Sequence, residues 1–279
     1  MYVNFNNMLK EAYAAHRAIG SFNWYNYETL RGIIDAANEA GTPVIAAFGA
    51  KYLDNMPLKT AVALTKSLAE QADVPVCLHL DHCSDKLTVM KAIDLGFGSV
   101  MYDGSRLSFD DNVINTKEIC EIAHDSSVSV EAELGSLAAG ENSHEGSADD
   151  KEAYTNANDA ARFVRYTGVD ALAVSIGTVH GMYKGTPNIR VDILKEINEA
   201  AGIPLVLHGG SGTPEDKLKE CIANGISKIN VNTEISEYVV KHTKDYLETD
   251  APHYSVLSLK QKDWVKEVVG KYMKLFAAE

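Results

Sequence analysis

The sequence predicts an α/β protein of one domain, a (β/α)8 or TIM barrel, and three observations carry that prediction. Eight short apolar or β-branched runs recur along the chain, segments with apolar residues at helical spacing lie between them, and glycine- or proline-marked turns lead into several runs. Short, nearly continuous apolar runs are the mark of parallel strands buried on both faces. Strand–helix alternation repeated eight times closes a barrel. A chain of 279 residues suits one such domain spanning residues 1–279.

The strands are expected, in order, at Ile19–Asn23, Pro43–Phe48, Val76–Asp81, Ser99–Asp103, Ser127–Leu134, Ala171–Ser175, Pro204–His208 and Ile226–Asn230. The stretch from Tyr27 to Ala37 shows the helical spacing expected after the first of them. The turns Ala40-Gly41-Thr42-Pro43, Leu95-Gly96-Phe97-Gly98, Ala201-Gly202-Ile203-Pro204 and Asn224-Gly225-Ile226 lead into the second, fourth, seventh and eighth. After the fifth strand, residues 135–158 are polar and glycine-rich, and loops of that length in a compact domain are usually functional lids or disordered. Beyond the eighth strand, residues 235–279 read as a C-terminal helical extension. A doubly wound sheet would need Gly-x-Gly-x-x-Gly after an early strand, and none occurs there.

Hydrophobic residues make up 46% and charged residues 23%, the balance of an ordinary globular protein. The opening Met1–Asn7 has no basic segment followed by an apolar run, so no signal peptide is expected, and no stretch is long and apolar enough for a membrane span. Four scattered cysteines without a Cys-x-x-Cys pair suit a reducing compartment, the cytoplasm. A net charge of −13 argues against a nucleic-acid partner. It also means that a phosphate ligand would have to be met locally, by a metal, helix N-termini or backbone N–H groups.

Barrel enzymes carry their chemistry at the C-terminal ends of the strands and in the loops that follow. Those positions here read Asn23, Asp81-His82, Asp103, Glu133, Gly177 to His180, His208 to Gly212, and Asn230 to Thr233. Three of the nine histidines, His82, His180 and His208, fall among them. Any one alone reads as a hydrogen-bonded core or loop residue. Three neutral imidazoles at one barrel end, with an open fourth position, are the ligand set of a catalytic zinc. His79 lies inside a strand and reads as structural, whereas His16, His124, His144, His242 and His253 read as surface or loop residues. Glycines at Gly209, Gly210 and Gly212, Ser211, and the donors Asn230, Asn232 and Thr233 mark the ends of the last two strands as a phosphate site.

Five strings occur in order: Leu78-His79-Leu80-Asp81-His82, Val130-Glu131-Ala132-Glu133-Leu134-Gly135, Gly177-Thr178-Val179-His180-Gly181, Leu207-His208-Gly209-Gly210-Ser211-Gly212 and Lys228-Ile229-Asn230-Val231-Asn232-Thr233-Glu234. In these the chain resembles the class II, zinc-dependent fructose-bisphosphate/tagatose-bisphosphate aldolase family, from about Phe22 to Glu234. The resemblance implies that His82, His180 and His208 hold the zinc and that Asp81 exchanges a proton with the C4 oxygen. It implies that Asp103 and Glu133 support the histidines or bind a second metal. Glu141, eight residues after Glu133, stands where the family has a mobile-loop glutamate that handles the C3 proton, with Glu145 and Glu152 as the other acidic choices. Asn23 and Gly181 would join the substrate site, and a monovalent cation, Na⁺ or K⁺, would sit on backbone oxygens of Val179, Gly181 and Gly209. Family assembly implies a homodimer or homotetramer; the apolar positions of Trp264 to Met273 suit either such a contact or packing on the chain's own barrel.

The activity so implied is that of a lyase of central sugar metabolism and glycolysis. It would reversibly cleave a ketose bisphosphate to dihydroxyacetone phosphate and an aldehyde through a zinc-stabilised enediolate, with the 135–158 loop closing over it. Fructose 1,6-bisphosphate is favoured and tagatose 1,6-bisphosphate is the epimeric choice, because Asn232 leaves the stereochemistry undecided. The second phosphate has thin support. Lys51 is the only cation in Ala46-Ala47-Phe48-Gly49-Ala50-Lys51, and Lys260, Gln261 and Lys262 stand where the family often has an arginine. A ketose 1-phosphate or another modified sugar phosphate is therefore the alternative. The alternatives from other classes are a Schiff-base aldolase on Lys228, which leaves the three histidines unexplained, a zinc-dependent barrel hydrolase, which gives no reason for the phosphate-type strand ends, and a non-catalytic binding protein, which leaves the titratable cluster without purpose.

Overall fold

In the computed structural model, which describes residues 1–143 and 152–277, the strands are β1 (Ile19–Asn23), β2 (Val44–Gly49), β3 (Val76–Cys83), β4 (Ser99–Tyr102), β5 (Ser129–Leu134), β6 (Ala138–Ala139), β7 (Ala171–Val174), β8 (Val179–His180), β9 (Leu205–Leu207) and β10 (Ile226–Val231). Eight of them close a parallel barrel in the order β1-β10-β9-β7-β5-β4-β3-β2. The short β6 and β8 pair with each other outside it. The helices are α1 (Asn6–Ala14), α2 (Tyr27–Ala40), α3 (Leu58–Ala69), α4 (Lys86–Leu95), α5 (Phe109–Asp125), α6 (Ala157–Thr167), α7 (Val191–Ala201), α8 (Glu215–Ala223), α9 (Thr233–Thr249) and α10 (Tyr254–Phe276), with a 3₁₀ turn at Ala50–Tyr52. The single α/β barrel is thus formed as expected. Among the described residues no helix is long and apolar enough to cross a membrane.

Strand ends shift from the expected ones for local reasons. Pro43 and Pro204 lack an N–H and stand just before their ladders, which begin at Val44 and Leu205. Ser127 takes a left-handed φ of 58°, so the fifth barrel strand starts at Ser129. In the loop after it, Ser136 and Ala153 exchange backbone hydrogen bonds of 3.0 Å. His144 and Glu145 lie outside the described residues.

Alternation along each strand sorts the core into two. Outward residues such as Phe22, Phe48, Leu80, Val130 and Leu207 pack under the helices. Inward residues near the N-terminal end, Ile19, Ile45, Cys77, Ala171, Ala173 and Val206, form a separate apolar layer with Phe5, Met8, Leu9 and Ala12. Helix α1 therefore plugs the bottom of the barrel. Above that layer the inward side chains turn polar, and the barrel axis leads from an apolar floor to a titratable mouth.

Helix α10 returns along α2. Its Val265, Val268, Val269, Tyr272 and Met273 are buried on the chain's own wall, which answers the packing question raised by Trp264 to Met273. Gly32 of α2 permits the contact: a Cβ there would lie 2.7 Å from the Lys262 carbonyl oxygen and from Val265 Cβ.

Candidate active site

The mouth is assembled from inward positions two residues apart. His79 and Asp81 lie on β3, Glu131 and Glu133 on β5, Lys228 and Asn230 on β10, and all six are buried. His82 breaks this alternation. It adopts φ 46°, rare for a residue with a side chain. The β3–β4 register shifts between Leu80 and Cys83. That kink lets adjacent residues, Asp81 and His82, both face the mouth.

The three histidines meet there. Ring centroids are 4.4 Å apart for His82–His208, 5.0 Å for His82–His180 and 5.9 Å for His180–His208. His208 Nε2 is 2.8 Å from Glu131 Oε1, so it donates to that carboxylate and leaves Nδ1 turned to His82 Nε2 at 2.7 Å. His82 Nδ1 is 3.1 Å from Asp103 Oδ2, whose other oxygen accepts from the N–H and hydroxyl of Ser105. One ligand atom from each histidine lies within 4.8 Å of the others, and the same holds for His82, Asp103 and Glu133. These are the groups that could hold a metal.

Two observations test whether a cation fits. His180 Nε2 and Glu133 Oε2 are buried and have no hydrogen-bond partner, an expensive state for polar atoms unless a further ligand meets them. The titration pattern agrees. Burial, then the charge of His82, holds His180 and His208 below the usual imidazole range, as metal ligands must be neutral. Burial, then Asp103, pushes the Glu133 carboxyl well up. Burial opposes a proton on His82, but Asp81, Asp103 and Glu133 outweigh it and raise its pKa. A nest of carboxylates around three imidazoles is a setting that a divalent ion would fit.

Asp81 is held by amides. Its Oδ2 accepts from Asn23 Nδ2 at 2.9 Å and its Oδ1 from Asn230 Nδ2 at 3.1 Å. Burial opposes ionisation, yet His82 and then Lys228 keep the carboxyl well below its ordinary range. It is therefore a carboxylate at neutral pH.

Glu131 and Lys228 sit beneath these groups. Lys228 Nζ is 2.8 Å from Glu131 Oε2 and donates to Asn230 Oδ1 at 2.7 Å. That bond fixes the Asn230 amide so that its NH₂ faces Asp81. Lys228 is thus the internal ion pair rather than a free amine. Burial works against the Glu131 carboxylate, but Lys228 and then His208 bring its pKa down to about 2. His79 lies 3.7 Å from Glu131 and 2.8 Å from Ser99 Oγ; burial, then Lys228, lowers its pKa to about 3. It is a neutral structural residue, as its place in the strand implied. Glu131 carried no role in the sequence reading. The signal was there: it stands two residues before Glu133, so strand parity puts both carboxylates on one face.

At the phosphate-type end, Gly209 takes φ 73°, and a Cβ there would lie 2.2 Å from the Val179 carbonyl oxygen. The segments named for a monovalent cation, Val179, Gly181 and Gly209, therefore run against one another. Not every glycine N–H is available. Gly210 donates to Asn230 O at 2.9 Å and Gly212 to Glu234 Oε2 at 3.2 Å. The Ser211 hydroxyl accepts from the N–H groups of Asn232 and Glu234, joining the turn to the start of α9 at Thr233.

Glu141 is brought to the same rim. Gly140 N donates to His180 O at 2.6 Å, and Glu141 and Met182 exchange backbone bonds of 2.7 Å. The loop thus lies beside the segment that bears His180, with the Glu141 side chain exposed. Lys51 is also exposed, on the 3₁₀ turn. Its neighbour Tyr52, absent from the sequence reading, accepts from Asn232 Nδ2 at 2.9 Å.

A family model described as fructose-bisphosphate aldolase class-II matches residues 3–279. The sulfofructosephosphate aldolase of Alkalicoccus urumqiensis is 38% identical over 91% of this chain and 88% of its own length. The probable fructose-bisphosphate aldolase of Bacillus subtilis is 40% identical over 90% and 88%. In the crystal structure of the YdjI aldolase from Escherichia coli K12, the fold superposes with a TM-score of 0.88 at 35% identity, covering 100% of this chain and 98% of that one.

Proposed function

The chain belongs to the class II fructose-bisphosphate aldolase family, and from that premise we propose that it is a zinc-dependent lyase cleaving a ketose phosphate to dihydroxyacetone phosphate and an aldehyde. The observation that carries this reading is the gathering of His82, His180 and His208 beside the amide-held Asp81 carboxylate at the C-terminal mouth. His82, His180 and His208 hold the zinc, with Asp103 and Glu133 supporting them or taking a second ion. A bound zinc supplies Lewis-acid polarisation of the ketone.

Asp81 accepts the proton of the C4 hydroxyl as the C4–O bond becomes a carbonyl. The C3–C4 bond breaks, and its electron pair passes into the enediolate of the three-carbon fragment. Glu141 returns a proton to C3, and synthesis runs in reverse. Asn23 and Asn230 aim Asp81, which His82 and Lys228 keep ionised, and Gly181, Gly209, Ser211, Asn232 and Thr233 frame the three-carbon phosphate. A monovalent cation on the Val179, Gly181 and Gly209 carbonyls belongs to the same reading.

A second reading concerns the aldehyde half. Support for a 1,6-bisphosphate is the name of the family model and of relatives within it, and the charge of Lys51. Support for a ketose 1-phosphate is a cavity beside Asn232 that Lys51 does not line. A homodimer or homotetramer is also part of this reading, favoured by the exposed apolar side chains of Val240, Tyr254 and Leu259; a monomeric mass in solution would remove it. The deciding experiment strips the metal with a chelator and restores zinc while following release of dihydroxyacetone phosphate. Activity should vanish and return, and borohydride should trap nothing. A borohydride adduct on Lys228 would sink the assignment.

A further inference from the structure

Beside the mouth lies a cavity of about 430 Å³, bounded by the 3₁₀ turn, the loop after β5, and helices α2, α9 and α10. Its wall nearest the mouth in sequence is Asn232 and Thr233, just beyond the Asn230 that holds Asp81. Its polar lining includes Tyr52, Asn55, Asn142, Asn232, Glu28 and Glu237, and no lysine, arginine or histidine lines it among the described residues. Asn142 donates to Glu237 at 2.7 Å, tying the Glu141 loop to the cavity rim. Glu28 accepts from the hydroxyl of Ser258.

We propose that this cavity receives the aldehyde half of the substrate and is built for an uncharged polyhydroxylated chain, so that the preferred substrate is a ketose 1-phosphate. The proposal rests on the aldol-cleavage reading of the site. A second phosphate, sulfonate or carboxylate entering here would leave water to face two carboxylates with no cation beside it, and like-charge contacts of that kind are strongly unfavourable. Sugar hydroxyls meet the opposite situation. They donate to Glu28, Glu237 and the amide oxygens, and they accept from the amide NH₂ groups and Tyr52. The volume lies within the range of small-molecule sites and leaves room for several hydroxylated carbons.

The test compares kcat/KM of the zinc-loaded enzyme for fructose 1-phosphate and fructose 1,6-bisphosphate, with C3 proton exchange of dihydroxyacetone phosphate measured in parallel. The 1-phosphate is expected to be the better substrate by about tenfold, the scale of one unfavourable charge contact. An equal or higher value for the bisphosphate overturns the proposal. The exchange reaction involves only the three-carbon half and needs no aldehyde in the cavity. Intact exchange with a bisphosphate preference therefore removes this proposal alone, whereas absent exchange removes the aldolase reading beneath it. Glu237→Lys should move the ratio toward the bisphosphate by about tenfold; an unchanged ratio counts against the cavity as the aldehyde site. If that variant fails to fold, the wild-type ratio still decides.

Discussion

At the residue scale, the site separates groups that react from groups that hold them. Asp81→Ala removes the C4 base but none of the imidazoles. It should lower kcat by roughly 10²- to 10⁴-fold with zinc content unchanged; metal analysis beside the assay checks this, and parallel loss of zinc would make Asp81 a ligand support instead. Glu131 acts one step back, through His208 Nε2. Glu131→Gln should weaken zinc binding by about 10- to 100-fold, as the loss of a carboxylate behind a metal-bound histidine does elsewhere. A competition titration against a zinc chelator reads that directly. Lys228→Met would leave the Glu131 carboxylate buried without its cation, with only the His208 hydrogen bond, which costs about 3–5 kcal/mol. Adding Glu131→Gln to it should recover much of that stability in denaturant melts while zinc affinity stays low. If the double variant is as unstable as the single one, packing of the lysine stem rather than its charge is what matters.

At the element scale, the α2–α10 contact sets two effects against each other. Gly32→Ala should favour an isolated helix by about 1 kcal/mol. In the protein its Cβ would meet the Lys262 carbonyl and Val265 at 2.7 Å, so α10 must move. Overpacking of a close contact costs about 1–3 kcal/mol. The clash should win, and the variant should melt at a lower temperature. A rise in Tm would mean that α10 slides easily, and that the end of the chain is a looser cover than its buried Val265, Val268 and Phe276 indicate. The element carrying His180 is different in kind. β8 is two residues long and is paired with β6 of the long loop, not with the barrel. One of the three imidazoles thus depends on the segment that also carries Glu141, which links loop placement to metal geometry.

For the whole molecule, the barrel has a sealed floor and a charged mouth. Helix α1 and the inner apolar layer close one end. At the other, carboxylates and imidazoles from β3, β5 and β8, with Asp103 after β4 and His208 after β9, crowd together, and His180 Nε2 and Glu133 Oε2 have no hydrogen-bond partner. Metal binding should therefore stabilise the folded state by mass action. Removing zinc should lower Tm by several degrees, and ions that prefer all-oxygen ligands should restore less of it. A Tm indifferent to chelation would mean that no ion contributes to the fold.

The sequence by itself determined the barrel, because short continuous apolar runs and eight strand–helix repeats are local properties written residue by residue. It also named, as residues at the strand ends or in the loops after them, Asp81, His82, His180, His208 and Asn230, which the fold brings to one mouth. Three things waited for the tertiary structure. The kink at His82, which turns two adjacent side chains to one mouth, is a backbone strain that only the packed barrel sustains. The Glu131–Lys228–Asn230 chain joins residues about a hundred positions apart, and the strands β5 and β10 that bear them are not neighbours in the sheet. The cavity beside Asn232 is walled by α2, α9, α10 and two loops, each of which reads in sequence as ordinary surface. Periodicity reports the face on which a side chain lies; which groups meet across the barrel axis, and with what charge around them, is decided only when the sheet closes.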